Sequence, residues 1–161
     1  MLIAKEEVIA QDGRPIDTSY LEGTIGYTIR RAQLAMFANL YRAFGDEGLT
    51  LVQFSALAVI KDNPDLTQGD LAKTLSVERP RMVPVIDVLE ERGLAERIVD
   101  PADRRNRRIR ITPLGRKVLR TLQRRLQTLE THMMTEIGAG SVEQALDMLW
   151  KLAAYRGQEF T

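Results

Sequence analysis

Apolar residues return at three- and four-residue steps from Ile25 through Ile29, Ala32, Met36, Phe37, Leu40 and Tyr41 to Phe44. That period predicts a long helix over residues 24–44, apolar on more than one face and ended by Gly45 and Gly48. Thr50 with Gln53 three residues on has the form of a capping box, in which each side chain satisfies an orphan backbone donor, and opens a second helix closed by Asn63-Pro64. Thr67 and Asp70 repeat the device ahead of Leu71, Ala72 and Leu75. A short turn at residues 76–78 then leads into a helix from Arg79 to Arg92, stopped by Gly93. Two short helices joined by so short a turn are the pattern of a helix-turn-helix. Small Ala72 suits their close approach, with Val77, Val83, Ile86 and Leu89 as the apolar face. Pro80 fits a first helical turn, whereas Pro84 lies where a backbone bond should form and predicts a local kink.

Period two is expected only after Gly93. Arg108-Ile109-Arg110-Ile111 alternates as a half-buried strand does, residues 94–99 supply its partner, and Asp100-Pro101 opens a loop over residues 100–106. Thr112-Pro113 then starts a long helix with Leu114, Val118, Leu122, Leu126, Leu129, Met133 and Ile137 in register, stopped by Gly138 and Gly140. Ser141 with Gln144 caps a last helix bearing Leu146, Leu149, Leu152 and Ala153 as one stripe beside Trp150. Residues 1–20 hold no sustained period and are expected to form an arm or a short extra helix. The first and last helices carry more apolar surface than one lobe can cover, so the fold class expected is mainly α with a small β-wing, a winged helix-turn-helix lobe plus a helical dimerisation lobe. The expected division is an arm over 1–23, dimerisation segments over 24–48 and 113–161, and a DNA-binding region over 49–112.

Composition narrows the chemistry. With 161 residues, 44% hydrophobic and 28% charged, the chain is long enough to bury a core. It has no cysteine and one histidine, His132. Thiolate catalysis, disulfides and the usual zinc or copper sites therefore have no ligands to draw on, and no cofactor is expected. No nucleophile motif, glycine-rich phosphate loop or metal-ligand cluster points to an enzyme. The longest apolar stretch, residues 34–40, falls far short of the roughly 20 residues of a membrane span, so a cytoplasmic protein without membrane contact is expected.

A net charge of +1 conceals an uneven distribution. Between Arg97 and Arg110 stand Arg97, Arg104, Arg105, Arg107, Arg108 and Arg110 against Asp100 and Asp103 alone. A solvated charged hairpin is the plain reading. Directly after a capped helix-turn-helix, the arginines fit a wing against duplex DNA, since a tip arginine can enter the minor groove. Arg79 and Arg81 stand at a helix N-terminus, where the dipole disfavours them unless they face phosphates or guanine edges. Thr67, Gln68 and Ser76 are candidates for backbone-positioning contacts, with Thr67 equally explained as an N-cap. Tyr27, Phe37, Tyr41 and Phe54 fit a core. With Arg30 and Arg31 they also fit a pocket between the two lobes, where a guanidinium pairs a carboxylate and rings stack.

The run L-T-Q-G-D-L-A-K-T-L-S-V-E-R-P-R-M-V-P-V-I-D-V-L-E-E-R-G-L-A-E-R (Leu66 to Arg97), the wing D-P-A-D-R-R (Asp100 to Arg105) and the I-R-I-T-P-L-G run (Ile109 to Gly115) resemble the MarR family of transcriptional regulators. The resemblance extends from about Thr24 to Arg156. It implies a homodimer whose first, fifth and sixth helices intertwine, a DNA-binding lobe on each subunit, and a repressor acting on a pseudo-palindromic operator. It also implies Arg105 in the minor groove, Asp103 orienting the loop, and Arg104, Arg107 and Arg108 nearer the phosphates. Aromatic acids, or their coenzyme A thioesters, are the implied effectors at Arg30, Arg31, Phe37, Tyr41 and Phe54. Pro84 departs from the polar or basic residue common at its position. A winged helix serving only protein association is the rival reading, because fold does not fix function.

Overall fold

Capping chemistry sets most helix boundaries in the computed structural model, which describes residues 8–99, 107–138 and 140–156. The chain divides into two compact units, Met1–Ala38 and Asn39–Thr161. In the first, strands β1 (Val8–Ile9) and β2 (Pro15–Ile16) pair antiparallel around Asp12-Gly13. Gly13 takes φ 84°, the left-handed conformation that favours glycine. A short helix α1 (Ser19–Glu22) follows, its start held by Asp17 Oδ1, which accepts from the Ser19 amide at 2.9 Å. The expected arm is thus a hairpin and a helical turn. Strands of two residues are too short to show a period.

The long helix α2 (Ile25–Phe44) carries the chain across the boundary between the units and buries Leu40 and Phe44. In the second unit, Gly45–Glu47 form a 3₁₀ turn before α3 (Leu51–Asp62), whose Thr50–Gln53 capping box is complete. A two-residue strand β3 (Leu66–Thr67) runs into α4 (Gln68–Thr74), and after the turn comes α5 (Arg79–Glu91). The wing strands are β4 (Ala95–Val99) and β5 (Arg107–Ile111), followed by α6 (Pro113–Ile137) and α7 (Val142–Ala154). The sheet order is β3-β5-β4, all antiparallel, with Ile109 opposite both Leu66 and Arg97. β3 went unforeseen because two residues leading into a capped helix read as the cap alone.

The core of this unit joins Phe44, Leu57 and Ile60 to Leu71, Met82, Ile86 and Leu89, and these to Ile109, Leu119 and Leu122. One expectation about α5 is corrected. Met82 is fully buried and Val83 is 42% exposed, so the buried face runs through Met82, Ile86 and Leu89. The assigned helix continues unbroken across Pro84. Thr112 ties α6 to the wing: its hydroxyl donates to the Gly93 carbonyl at 2.6 Å and accepts from the Gly115 amide at 3.0 Å. Among the described residues, no single helix is long and apolar enough to cross a membrane.

Candidate nucleic-acid interface

Helix α4 starts from a capping box. Thr67 Oγ1 accepts from the Asp70 amide at 3.2 Å, while Asp70 Oδ2 accepts from the Thr67 amide at 2.9 Å. The Thr67 side chain, which also donates to Asp70 at 2.6 Å, is therefore occupied as a cap. These hydrogen bonds, the side-chain one from Thr67 foremost, hold the Asp70 carboxyl below its ordinary value. The helix ends in a Schellman motif: the Val77 amide donates to the Ala72 carbonyl at 2.9 Å and the Ser76 amide to the Lys73 carbonyl at 3.2 Å. Ser76 takes the left-handed position with φ 53°, where glycine is the usual occupant. This fixes the turn into α5.

Helix α5 begins at Glu78 with no side-chain cap, and Pro80 contributes no N–H to its first turn. Arg79 and Arg81 stand exposed at this positive end. Arg81 has Glu78 3.4 Å away, with both side chains open to solvent, a pairing of little strength. The Arg79 guanidinium lies over Gly69, 3.5 Å from where a Cβ would stand, which brings it beside the start of α4. Two guanidinium groups at an uncapped helix start suit phosphates, which the backbone donors and dipole also favour.

Arg97, counted by its charge in the basic stretch, has a structural use that the sequence concealed. Its side chain is 22% exposed, pairs with Asp87 at 2.7 Å and with Glu90, and donates to Gln68 Oε1 at 3.3 Å. The Glu90 carboxylate also accepts from the Arg97 amide at 2.6 Å. One guanidinium thus joins β4 to α5 and α4, and it occupies the side chain of Gln68 in doing so. Arg108 is half-buried and donates to the Asp65 carbonyl at 2.9 Å, and Arg110 pairs with the Asp65 carboxylate at 2.6 Å. Arg107 is exposed at the start of β5. The loop expected over residues 100–106, with Asp103, Arg104 and Arg105, lies outside the described residues.

The residues named for an effector fall in both units. Arg30, Arg31 and Phe37 belong to the first, with both arginines exposed and Phe37 half-buried. Tyr41 and Phe54 belong to the second. Tyr41 is exposed, while Phe54 is buried with its ring 5.1 Å from that of Phe44, a packing role. Among the described residues no group of three or more His, Cys, Asp or Glu is arranged to hold a metal ion.

The MarR family model matches residues 47–106, the span from the end of the 3₁₀ turn past β4. A putative transcriptional regulatory protein for the hcr operon of Thauera aromatica is 34% identical over 119 residues, covering 69% of this chain and 72% of that protein. The chain belongs to the MarR family. It is a transcriptional regulator of the MarR type, a winged helix whose relatives regulate transcription rather than catalyse reactions. The transcriptional repressor CouR, solved bound to a 23-mer DNA duplex, is similar at 32% identity with a TM-score of 0.80, over 86% of this chain and 98% of CouR. A second CouR structure, bound to p-coumaroyl-CoA, is similar at 30% identity with a TM-score of 0.77, over 90% of this chain and 99% of that one.

Proposed function

We propose that this MarR-type regulator is a repressor that binds a pseudo-palindromic operator as a homodimer and is released by an aromatic acid or its coenzyme A thioester. The observation that carries the DNA half is the α4–α5 helix-turn-helix with Arg79 and Arg81 exposed at the uncapped start of α5. Arg107 is exposed at the start of β5, and in the sequence Arg104 and Arg105 add to the basic stretch, for which the family resemblance implies an orienting role for Asp103. Thr67, Gln68 and Ser76 are the proposed contacts to the DNA backbone, and Arg108 stands near the phosphates, with Gln68 and Arg108 held by Arg97 and the Asp65 carbonyl.

The homodimer is supported by α7. It buries none of its residues, and Leu146, Leu149, Trp150 and Leu152 are 40 to 72% exposed. An apolar stripe of that length on a capped helix is covered by a partner. Residues 24–48 and 113–161 are the segments we assign to that dimerisation region, and 49–112 to DNA binding.

The effector half is supported by the likeness to CouR bound to p-coumaroyl-CoA and by the spacing on α2. Arg30 and Phe37, both in the first unit, are seven residues apart and so share one helical face, with Arg31 beside it. A guanidinium there pairs a carboxylate or a thioester carbonyl while the Phe37 ring flanks an aromatic group. Linkage supplies the test. An effector that loosens DNA by about 5- to 150-fold, a coupling of about 1–3 kcal/mol, must itself be weakened by DNA to the same extent. Titrating p-coumaroyl-CoA, benzoate and hydroxycinnamates with and without bound duplex should show the effector weakened by DNA by the same factor as it weakens the duplex. Binding indifferent to DNA, or no binding, removes the effector half and leaves the aromatics as packing.

A further inference from the structure

Recognition helix α5 shows solvent a face that is apolar where a DNA-reading helix ordinarily carries polar groups. At 3.6 residues per turn, the buried line through Met82, Ile86 and Leu89 puts Pro80 and Pro84 at the centre of the opposite face, with Val83 on one flank and Arg81 on the other. Pro80 and Pro84 are exposed, and so is Val83 at 42%. Asp87, one turn further on, is drawn away to Arg97 at 2.7 Å. The first two turns of the outward face thus offer a base edge no hydrogen-bonding side chain except the arginines at the rim.

The floor of the major groove presents one apolar group, the C5-methyl of thymine, among donors and acceptors. Pressing two proline rings and a valine against guanine or cytosine edges would dehydrate polar groups without replacing their partners. Against thymine methyls the same surface gains by burial. We propose that Val83 and Pro84 are specificity-determining residues that read thymine methyl groups near the centre of each half-site, while Arg79 and Arg81 hold the flanking phosphates or guanines. The proposal rests on α5 entering the major groove. Its occupant is duplex DNA because the apolar strip is bordered by Arg79 and Arg81, a charge pattern complementary to a groove walled by phosphates.

The test starts from duplexes selected out of a random pool by the full-length protein. The tightest is resynthesised with deoxyuridine replacing each thymidine in turn, which removes the methyl and leaves base pairing intact. One or two positions per half-site should lose three- to fivefold in affinity, about 0.8 kcal/mol for a buried methyl. In Val83→Ser or Pro84→Ser, with unchanged helical circular dichroism, those positions should respond less than 1.5-fold. The proposal is overturned if no thymidine responds in the unaltered protein, or if the serine variants respond as strongly as it does. Failure to enrich any duplex would instead overturn DNA reading itself, so the two failures are distinct.

Discussion

Gly115 shows how one residue holds the interface in place. A Cβ there would stand 2.0 Å from the Leu94 carbonyl oxygen, in the first turn of α6, where Thr112 also bonds to the Gly93 carbonyl. The obstacle is backbone, which cannot swing aside. Gly115→Ala should therefore cost about 1–3 kcal/mol of stability, as overpacking does. Gly138→Ala makes the control, because Gly138 has left-handed φ and open space, so that strain of about 1–2 kcal/mol acts there without a clash. Thermal melting of the two variants checks the contrast: Gly115→Ala should displace the wing as well, seen as lost DNA affinity at temperatures where the chain is still folded. Retained affinity would mean that α6 shifts without carrying the wing. Arg97 makes a related point at the same scale. Counted by sequence it is part of the basic stretch, yet three elements meet on its guanidinium.

At the scale of elements, what was legible is what is local. The Thr50–Gln53, Thr67–Asp70 and Ser141–Gln144 boxes all close as expected, because cap and partner stand three residues apart whatever the tertiary fold. The Thr112-Pro113 start and Gly138 stop of α6 were legible for the same reason. On α5 Ile86 and Leu89 are buried as expected, and Met82 takes the place expected for Val83, since both are apolar and burial alone distinguishes them. The two-residue strands have no period to read. The pairs of Arg97 with Asp87 and Arg108 with Asp65 join residues from different elements, which spacing cannot disclose. The Asp70 box also makes a prediction about pH. Its folded pKa lies below the ordinary 3.8, so the charged form is favoured by folding. The contribution is complete above pH 3.8 and is lost as pH falls through the lower folded value. Protection of α4 amides from hydrogen exchange, taken against the intrinsic rate at each pH, should therefore fall below pH 3.8 in the natural chain, while Asp70→Asn, already lacking the charge, should show a flatter profile. Identical profiles would remove the cap's electrostatic role.

For the whole molecule, net charge is a poor guide and distribution a good one. Arg97 and Arg108 are partly buried and paired within the fold, while Arg79, Arg81, Arg107 and Arg110 stand exposed, where a cation can displace counterions from DNA. The proposed homodimer would cover the apolar stripe on α7, and a two-fold protein would match a two-fold operator with half-sites about 10 base pairs apart. The central claim is sequence-specific binding to duplex DNA, and titration of a labelled, selected duplex against a scrambled duplex of equal composition, repeated over a range of salt, tests it most directly. The account predicts at least about 10³-fold tighter binding to the selected duplex, with the logarithm of both affinities falling linearly as log salt rises. Equal affinity for the two duplexes, or binding indifferent to salt, would contradict it.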